Sequence, residues 1–177
     1  QHGRIASASF SRGGRLVVTA GSDRVARVWD SLTGRLVHAF PRADGQLFAA
    51  AFSPGGKLVA TGGADGLARV YDASTGQLAA TLGGHTNFVT SVAFSPDGKF
   101  VVTGSRDGTA RVAKADGGLP VLVLSGHSAP VVDATFSPDG RSVMTLDQDG
   151  TARIWDAGAE PQLRLLGVER GPVADAE

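Results

Sequence analysis

The sequence predicts an all-β protein, a series of four-stranded antiparallel sheets built from one unit repeated four times. Three observations carry that expectation. Short runs of Val, Ala, Thr, Leu and Phe alternate with Pro-, Gly- and Asp-rich tetrads, the pattern of strands joined by tight hairpins. The same features return at a constant spacing of 42 residues: Phe10, Phe52, Phe94 and Phe136 each open a turn tetrad, and Thr19, Thr61, Thr103 and Thr145 follow in the same register. No stretch carries apolar residues at the i, i+3, i+4 spacing of an amphipathic helix.

The repeats are assigned to residues 1–42, 43–84, 85–126 and 127–168, with the start of a fifth over 169–177. The first strand of each (Ile5–Phe10, Leu47–Phe52, Val89–Phe94, Val131–Phe136) has small central residues such as Ala8, Ala50 and Ala134, suited to a place where several sheets converge. The tetrads that follow (SRGG, SPGG, SPDG, SPDG) supply Pro to fix φ and Gly to accept a positive φ. Second strands are expected from Leu16, Leu58, Phe100 and Ser142 to the recurring Thr. They lead into a second hairpin signal (SDR, ADG, RDG, QDG), in which the Asp accepts local backbone hydrogen bonds. Third strands read ARVW, ARVY, ARVA and ARIW, with buried and exposed residues alternating. Fourth strands are expected at Leu36–Phe40, Leu78–Leu82, Leu119–Leu124 and Leu163–Leu166.

Composition narrows the function classes. A chain of 177 residues is long enough for a sizeable core. Its 17 basic and 17 acidic residues cancel without any block of one sign, so neither a nucleic-acid partner nor a membrane surface is expected. No apolar run approaches the ~20 residues of a membrane-spanning helix, and the first residues, QHGRIASASF, do not form a signal peptide. Cysteine is absent, which excludes disulfides and thiolate metal sites and fits a cytoplasmic protein. The excess of Arg over Lys, with abundant Ala, Gly and Val, suggests a bacterial source, and Gln1 in place of an initiator Met suggests a piece of a longer or processed chain.

A four-stranded unit of this length, with Gly-His (Gly84–His85, Gly126–His127) at one end and Trp-Asp (Trp29–Asp30, Trp155–Asp156) at the other, resembles the WD40 repeat of β-propellers. The resemblance covers essentially the whole chain. It implies that each blade is braced by a hydrogen-bonded His–Thr–Asp–Trp tetrad. The fourth repeat matches throughout, with His127, Thr145, Asp149 and Trp155. The third has His85, Thr103 and Asp107 with Ala113 in place of Trp. The second has Thr61, Asp65 and Tyr71 with Ala43 at the His position, and the first has Thr19, Asp23 and Trp29 with Gln1 there. WD40 rings usually close with about seven blades, so four blades imply an open arc. Three arrangements stay open: part of a larger seven- or eight-bladed ring, two chains forming one ring, or a closed four-bladed ring.

Chemistry-bearing patterns in the chain have structural explanations. His127, Thr145 and Asp149 superficially resemble a catalytic triad, but the same register in the third repeat points to architecture. The glycine-rich stretches Gly62–Gly66 and Gly104–Gly108 lead into strands, whereas a phosphate loop opens a helix. His2 and His38 have no second ligand at metal-binding spacing, and the Asp residues recur once per blade rather than clustering, so no metal or cofactor is expected. Arg27, Arg69, Arg111 and Arg153 share one register and read as a solvated or salt-bridged strand face, with a basic ring as the alternative. Asp133 alone places a carboxylate on an inner strand, too little for an enzyme of the propeller class.

Function therefore falls to the surface. The resemblance implies that partners dock on the loops before the first strand and between the second and third. Register places Arg4, Gln46, Phe88 and Pro130 in the former and Ser22, Ala64, Arg106 and Gln148 in the latter. Phe88 and Arg106 stand out as residue types enriched at binding hot spots; the plainer role for Phe88 is packing against the neighbouring blade. The expectation is a non-catalytic scaffold for a protein or peptide. Family resemblance further implies a sensor or regulatory part of a larger bacterial protein. The alternative is a self-assembling module whose partner is a second copy or the remaining blades of a parent chain.

Overall fold

The computed structural model of the chain describes residues 3–117 and 120–157, together with the backbone of Leu165–Arg170. Four antiparallel sheets follow one another. The first contains β1 (Ile5–Phe10), β2 (Leu16–Gly21), β3 (Arg27–Asp30) and β4 (Leu36–Ala39). The second contains β5 (Leu47–Phe52), β6 (Leu58–Gly63), β7 (Ala68–Asp72) and β8 (Leu78–Leu82). The third contains β9 (Val89–Phe94), β10 (Phe100–Ser105), β11 (Thr109–Lys114) and β12 (Leu122–Ser125). The fourth contains β13 (Val131–Phe136), β14 (Ser142–Asp147), β15 (Thr151–Asp156) and β16 (Leu165–Arg170). Every strand pairs with its chain neighbour, and no helix forms among the described residues. The sheets are blades of an open, unclosed arc, with consecutive first strands lying side by side.

The first hairpin of each blade follows from its tetrad. The Gly N–H donates to the carbonyl of the turn Ser, Gly56 to Ser53 at 2.8 Å and Gly98 to Ser95 at 2.8 Å, with Gly φ of 68° and 74°. The Ser hydroxyl also accepts the N–H that opens the second strand, at 3.0 Å from Leu58 and 2.9 Å from Phe100. In the second hairpin, Arg24 takes φ 68°, where the other repeats have Gly66, Gly108 and Gly150.

First strands begin and end where the repeat pattern puts them. Three outer strands do not, the first being β4, which ends at Ala39 rather than Phe40. The ladder of β12 starts at Leu122, beyond Pro120, which has no N–H to give it; the expected start, Leu119, lies outside the described residues. The outer strand of blade 4, Leu165–Arg170, runs past the expected end at Leu166, pairing with β15 from Thr151 to Trp155, so Glu169 and Arg170 lie opposite Ala152 and Thr151; its expected start, Leu163, lies outside the described residues. Those two residues pair within the fourth sheet, beyond the expected boundary at 168. Gln1, His2 and residues 171–177 of the expected fifth repeat lie outside the described residues.

The core lies between blades, in three layers. Val18, Val28 and Phe40 of blade 1 meet Leu47, Ala50, Val59 and Tyr71 of blade 2. Ala60, Val70 and Leu82 of blade 2 meet Val89, Val101 and Ala113 of blade 3. Val102, Val112 and Leu124 of blade 3 meet Ala134, Val143 and Trp155 of blade 4. Glycine sets the closeness of two of these joints. A Cβ on Gly62 would stand 2.6 Å from a Val89 methyl and 3.1 Å from a Val92 methyl. On Gly104 it would stand 2.6 Å from the Ser91 hydroxyl and 2.9 Å from a Val131 methyl.

Gly62→Val is therefore expected to lower stability by about 1–3 kcal/mol, the overpacking range. It should shift the urea midpoint with an unchanged slope, while Gly13→Ala, where nothing lies within 4 Å, leaves the midpoint in place.

Candidate interaction face and the bracing beneath it

The eight residues assigned to the loop face come together in pairs. In every blade the N–H before the second hairpin donates to the carbonyl before the first strand: Ser22 to Arg4 at 2.9 Å, Ala64 to Gln46 at 2.8 Å, Arg106 to Phe88 at 3.0 Å and Gln148 to Pro130 at 2.9 Å. Four copies of one backbone contact thus set these residues at the same end of each blade. Each first strand carries a β-bulge just beyond, at Ala6, Phe48, Thr90 and Val132. A bulge re-aims the side chain it displaces.

Phe48 is the bulged residue of blade 2, and it was not among the residues singled out from sequence. Its ring stacks on Phe88 of blade 3, with centroids 5.5 Å apart and planes at 27°. The Arg106 guanidinium lies 5.5 Å from the Phe88 centroid, within cation–π range. Phe88 does pack against its neighbouring blade, and it also stays half-exposed, with Arg106 exposed beside it. The three side chains make an apolar shelf spanning two blades with one cation at its edge. An aromatic where the other repeats have Ala6, Thr90 and Val132 is the sequence signal for Phe48, but its meaning depends on the bulge.

Beneath the face, the two blades with a Gly-His are braced by histidine. In blade 4, Trp155 Nε1–H donates to Thr145 Oγ1 at 2.8 Å, and that hydroxyl meets His127 Nε2 at 2.6 Å. His127 Nδ1 meets the carboxylate of Asp147 at 2.8 Å. An ionised carboxylate requires Nδ1 to carry the proton, so Nε2 accepts from the Thr hydroxyl and every donor is used in one direction. This corrects the expected tetrad, which placed Asp149 there. Asp149 is exposed, and Asp147, nearly fully buried at the end of β14, replaces it. The DQDG turn offers two carboxylates, and only the earlier one points under the hairpin, where it also accepts the N–H groups of Asp149 at 3.1 Å and Thr151 at 2.8 Å. A buried Asp at a position where the other repeats have Gly21, Gly63 and Ser105 was the available signal.

Blade 3 uses the expected residues. His85 bridges Thr103 at 2.8 Å and Asp107 at 2.9 Å, and Asp107 also accepts from Thr86 N–H and from both the hydroxyl and N–H of Thr109. With Ala113 in the Trp place, the Thr103 hydroxyl approaches the Arg111 carbonyl at 3.3 Å. In blades 1 and 2 an arginine partners the turn carboxylate: Arg27–Asp23 at 2.6 Å and Arg69–Asp65 at 2.7 Å. Trp29 still donates to Thr19 at 2.8 Å in blade 1. Tyr71 in blade 2 stacks on Phe40 at 4.8 Å, and burial raises its phenol pKa. The mid-strand arginines are thus salt-bridged in blades 1 and 2, as the solvated or salt-bridged reading expected. In blades 3 and 4 histidine holds the Asp, and the guanidinium of Arg111 lies over Gly84 and that of Arg153 beside Gly126.

The tetrads are not reaction centres. Thr145 Oγ1 is buried and committed to both Trp155 and His127, so no substrate atom can approach it as it approaches a catalytic hydroxyl. Burial holds His85 below its ordinary pKa, outweighing the attraction of Asp107. Burial pushes Asp107 up, but hydrogen bonds from Thr109, His85 and the Thr86 N–H outweigh it and hold the carboxyl at about 2. Asp147 is likewise lowered: hydrogen bonds from Thr151 N–H and His127 overcome its burial. Asp133 is exposed and accepts the N–H of the adjoining Ala134. Among the described residues no group of three or more His, Asp or Glu side chains converges as a metal site.

Comparison with protein-family models matches the chain to WD40 (WD domain, G-beta repeat) over residues 1–30, 34–72, 76–113 and 118–156. Comparison with curated proteins finds no match.

His127→Ala is expected to destabilise the fold by about 1–3 kcal/mol, because it strands a buried carboxylate and hydroxyl. Asp149→Asn should stay within about 0.5 kcal/mol, as exposed positions do; equal losses in thermal unfolding would return Asp149 to the brace. The titrations give a pH prediction. His85 has a folded pKa below that of the unfolded chain, so the unfolded state binds the extra proton and stability falls as pH drops below about 6.5. A second fall begins below about 4, as unfolded carboxyls protonate before Asp107 at about 2. Unfolding midpoints measured from pH 8 to 3 should show both, and His85→Gln should reduce the first.

Proposed function

The chain belongs to the WD40 family, whose repeats serve as non-catalytic protein-interaction scaffolds, and on that premise we propose that it presents its loop face to a peptide segment of a protein partner. The observation that supports this is the Phe48–Phe88–Arg106 shelf, shared by two blades and seated on the repeated backbone contact. A half-exposed aromatic pair with a cation at its edge suits an apolar or aromatic side chain next to a carboxylate: the ring stacks on Phe88 while the carboxylate meets Arg106. The mechanism is positioning. Braced blades hold the loops still, so binding loses little conformational entropy on the protein side.

A displayed random-peptide library panned against the folded chain tests the reading. The expected outcome is a consensus pairing an aromatic or large apolar residue with Asp or Glu. Arg106→Glu, at an exposed position, should abolish the acidic preference, and Phe88→Ala the apolar one, both with near-native circular dichroism. No enrichment by the native chain, or the same consensus with both variants, overturns the proposal.

A further inference from the structure

Asp44 and six other aspartates in this chain are followed directly by glycine. Such a dyad cyclises readily, because glycine puts no Cβ in the way of its own nitrogen reaching the aspartate carboxyl. Six of the seven are locked by the hairpins that hold them. Gly66, Gly98, Gly108, Gly117, Gly140 and Gly150 all take a left-handed φ, between 72° and 108°. Each donates its N–H to the carbonyl three residues back, at 2.8–3.3 Å. A hydrogen-bonded turn fixes the backbone dihedrals that would have to swing the glycine nitrogen onto the carboxyl carbon.

Asp44–Gly45 is built differently. It lies in the loop between β4 and β5, and Gly45 does not take a positive φ. Among the described residues the Gly45 N–H has no hydrogen-bond partner. The Asp44 side chain is 91% exposed, and its carboxylate meets Arg69 at 3.8 Å, the edge of ion-pair range. The Arg24 guanidinium approaches the Asp44 carbonyl at 3.5 Å, which draws electron density from the 44–45 peptide and makes its N–H more acidic. A free nucleophile, an accessible carboxyl and a polarised peptide thus meet at one dyad. We propose that Asp44 is a site of spontaneous covalent modification, conversion to isoaspartate, and that the fold directs the reaction here while shielding the other six.

The nitrogen of Gly45 attacks Cγ of Asp44 in its carboxylic acid form. An N–Cγ bond forms, one C–O bond breaks, and the hydroxyl leaves with the amide proton as water. Water then adds to the backbone carbonyl of the five-membered succinimide ring and breaks its bond to nitrogen. The main chain now runs through Cγ, one methylene longer, and the α-carboxylate is free; nothing is oxidised or reduced. The lengthened backbone falls where the loop rests on the next hairpin, since a Cβ on Gly45 would stand 2.9 Å from the Ala64 Cβ. Gln46, whose carbonyl accepts the Ala64 N–H in the loop face, follows directly. The chemistry needs nothing from the Phe48–Phe88–Arg106 shelf, so either proposal can fail alone.

Ageing of the full chain at neutral pH and physiological temperature tests it. Aged samples are digested with trypsin, then labelled by an isoaspartyl methyltransferase, which esterifies the freed α-carboxylate, and mapped by mass spectrometry. Label is expected in the tryptic peptide 43–57, which holds no aspartate besides Asp44, and should exceed that at the other six dyads combined. Ageing in urea removes the hairpins, and all seven dyads should then label at comparable rates. Asp44→Glu, at an exposed position, should clear the label from 43–57 with unchanged circular dichroism, because the larger glutamyl ring closes slowly. Even labelling of the folded chain, label concentrated at another dyad, the same preference for Asp44 in urea, or label that survives Asp44→Glu overturns the proposal.

Discussion

The packing of one sheet against the next underlies everything else in this structure, because a four-stranded sheet has two apolar faces and cannot cover either by itself. Each Val, Leu or aromatic moved out of water at a joint contributes about 1.5–3 kcal/mol. The residues that do this, such as Val59, Val101 and Val143, sit on second strands in the middle of their blades. Closeness at the joints depends on what is missing as much as on what is present. Gly62 and Gly104 let the next first strand approach to a distance that no side chain tolerates. Small residues at the inner edge and branched ones further out give each blade a taper, and the taper makes a series of sheets curve.

Bracing comes second and is more varied. What each hairpin needs is a partner for its carboxylate, since an ion buried without one is unstable. Histidine supplies it in blades 3 and 4, and arginine in blades 1 and 2. Two different donors, reaching the hairpin carboxylate from different registers, explain why the Gly-His signature can lapse without loss of the blade. The displacement from Asp149 to Asp147 makes the same point from the acceptor side: the network is specified by geometry under the hairpin, and whichever carboxylate reaches it serves. Such networks are stable when every member is satisfied, as in the Trp155–Thr145–His127–Asp147 chain.

The loop face inherits its order from these layers. Four backbone contacts fix where each loop leaves its blade, so side chains there are free to differ between repeats. They do differ: Phe88 and Arg106 in one blade stand against Pro130 and Gln148 in the next. The bulge at Phe48 shows how a device that is structurally identical in four blades presents an aromatic in one and Thr90 or Val132 in others.

The amino-acid sequence by itself determined the periodic part of this protein. Strand order within each repeat, the period itself and the first hairpins follow from turn chemistry and side-chain alternation, which act over a few residues and repeat every 42. Tertiary structure decided what depends on neighbours distant in sequence. It chose Asp147 over Asp149, because only burial under the hairpin distinguishes two carboxylates two residues apart. It paired Arg27 and Arg69 with aspartates, and it carried β16 on to Arg170, opposite Thr151 of β15. It joined Phe48 to Phe88 across two blades. The physical reason is the same in each case: hydrogen-bond direction, burial and stacking are set in three dimensions, between residues whose spacing along the chain carries no mark of their contact.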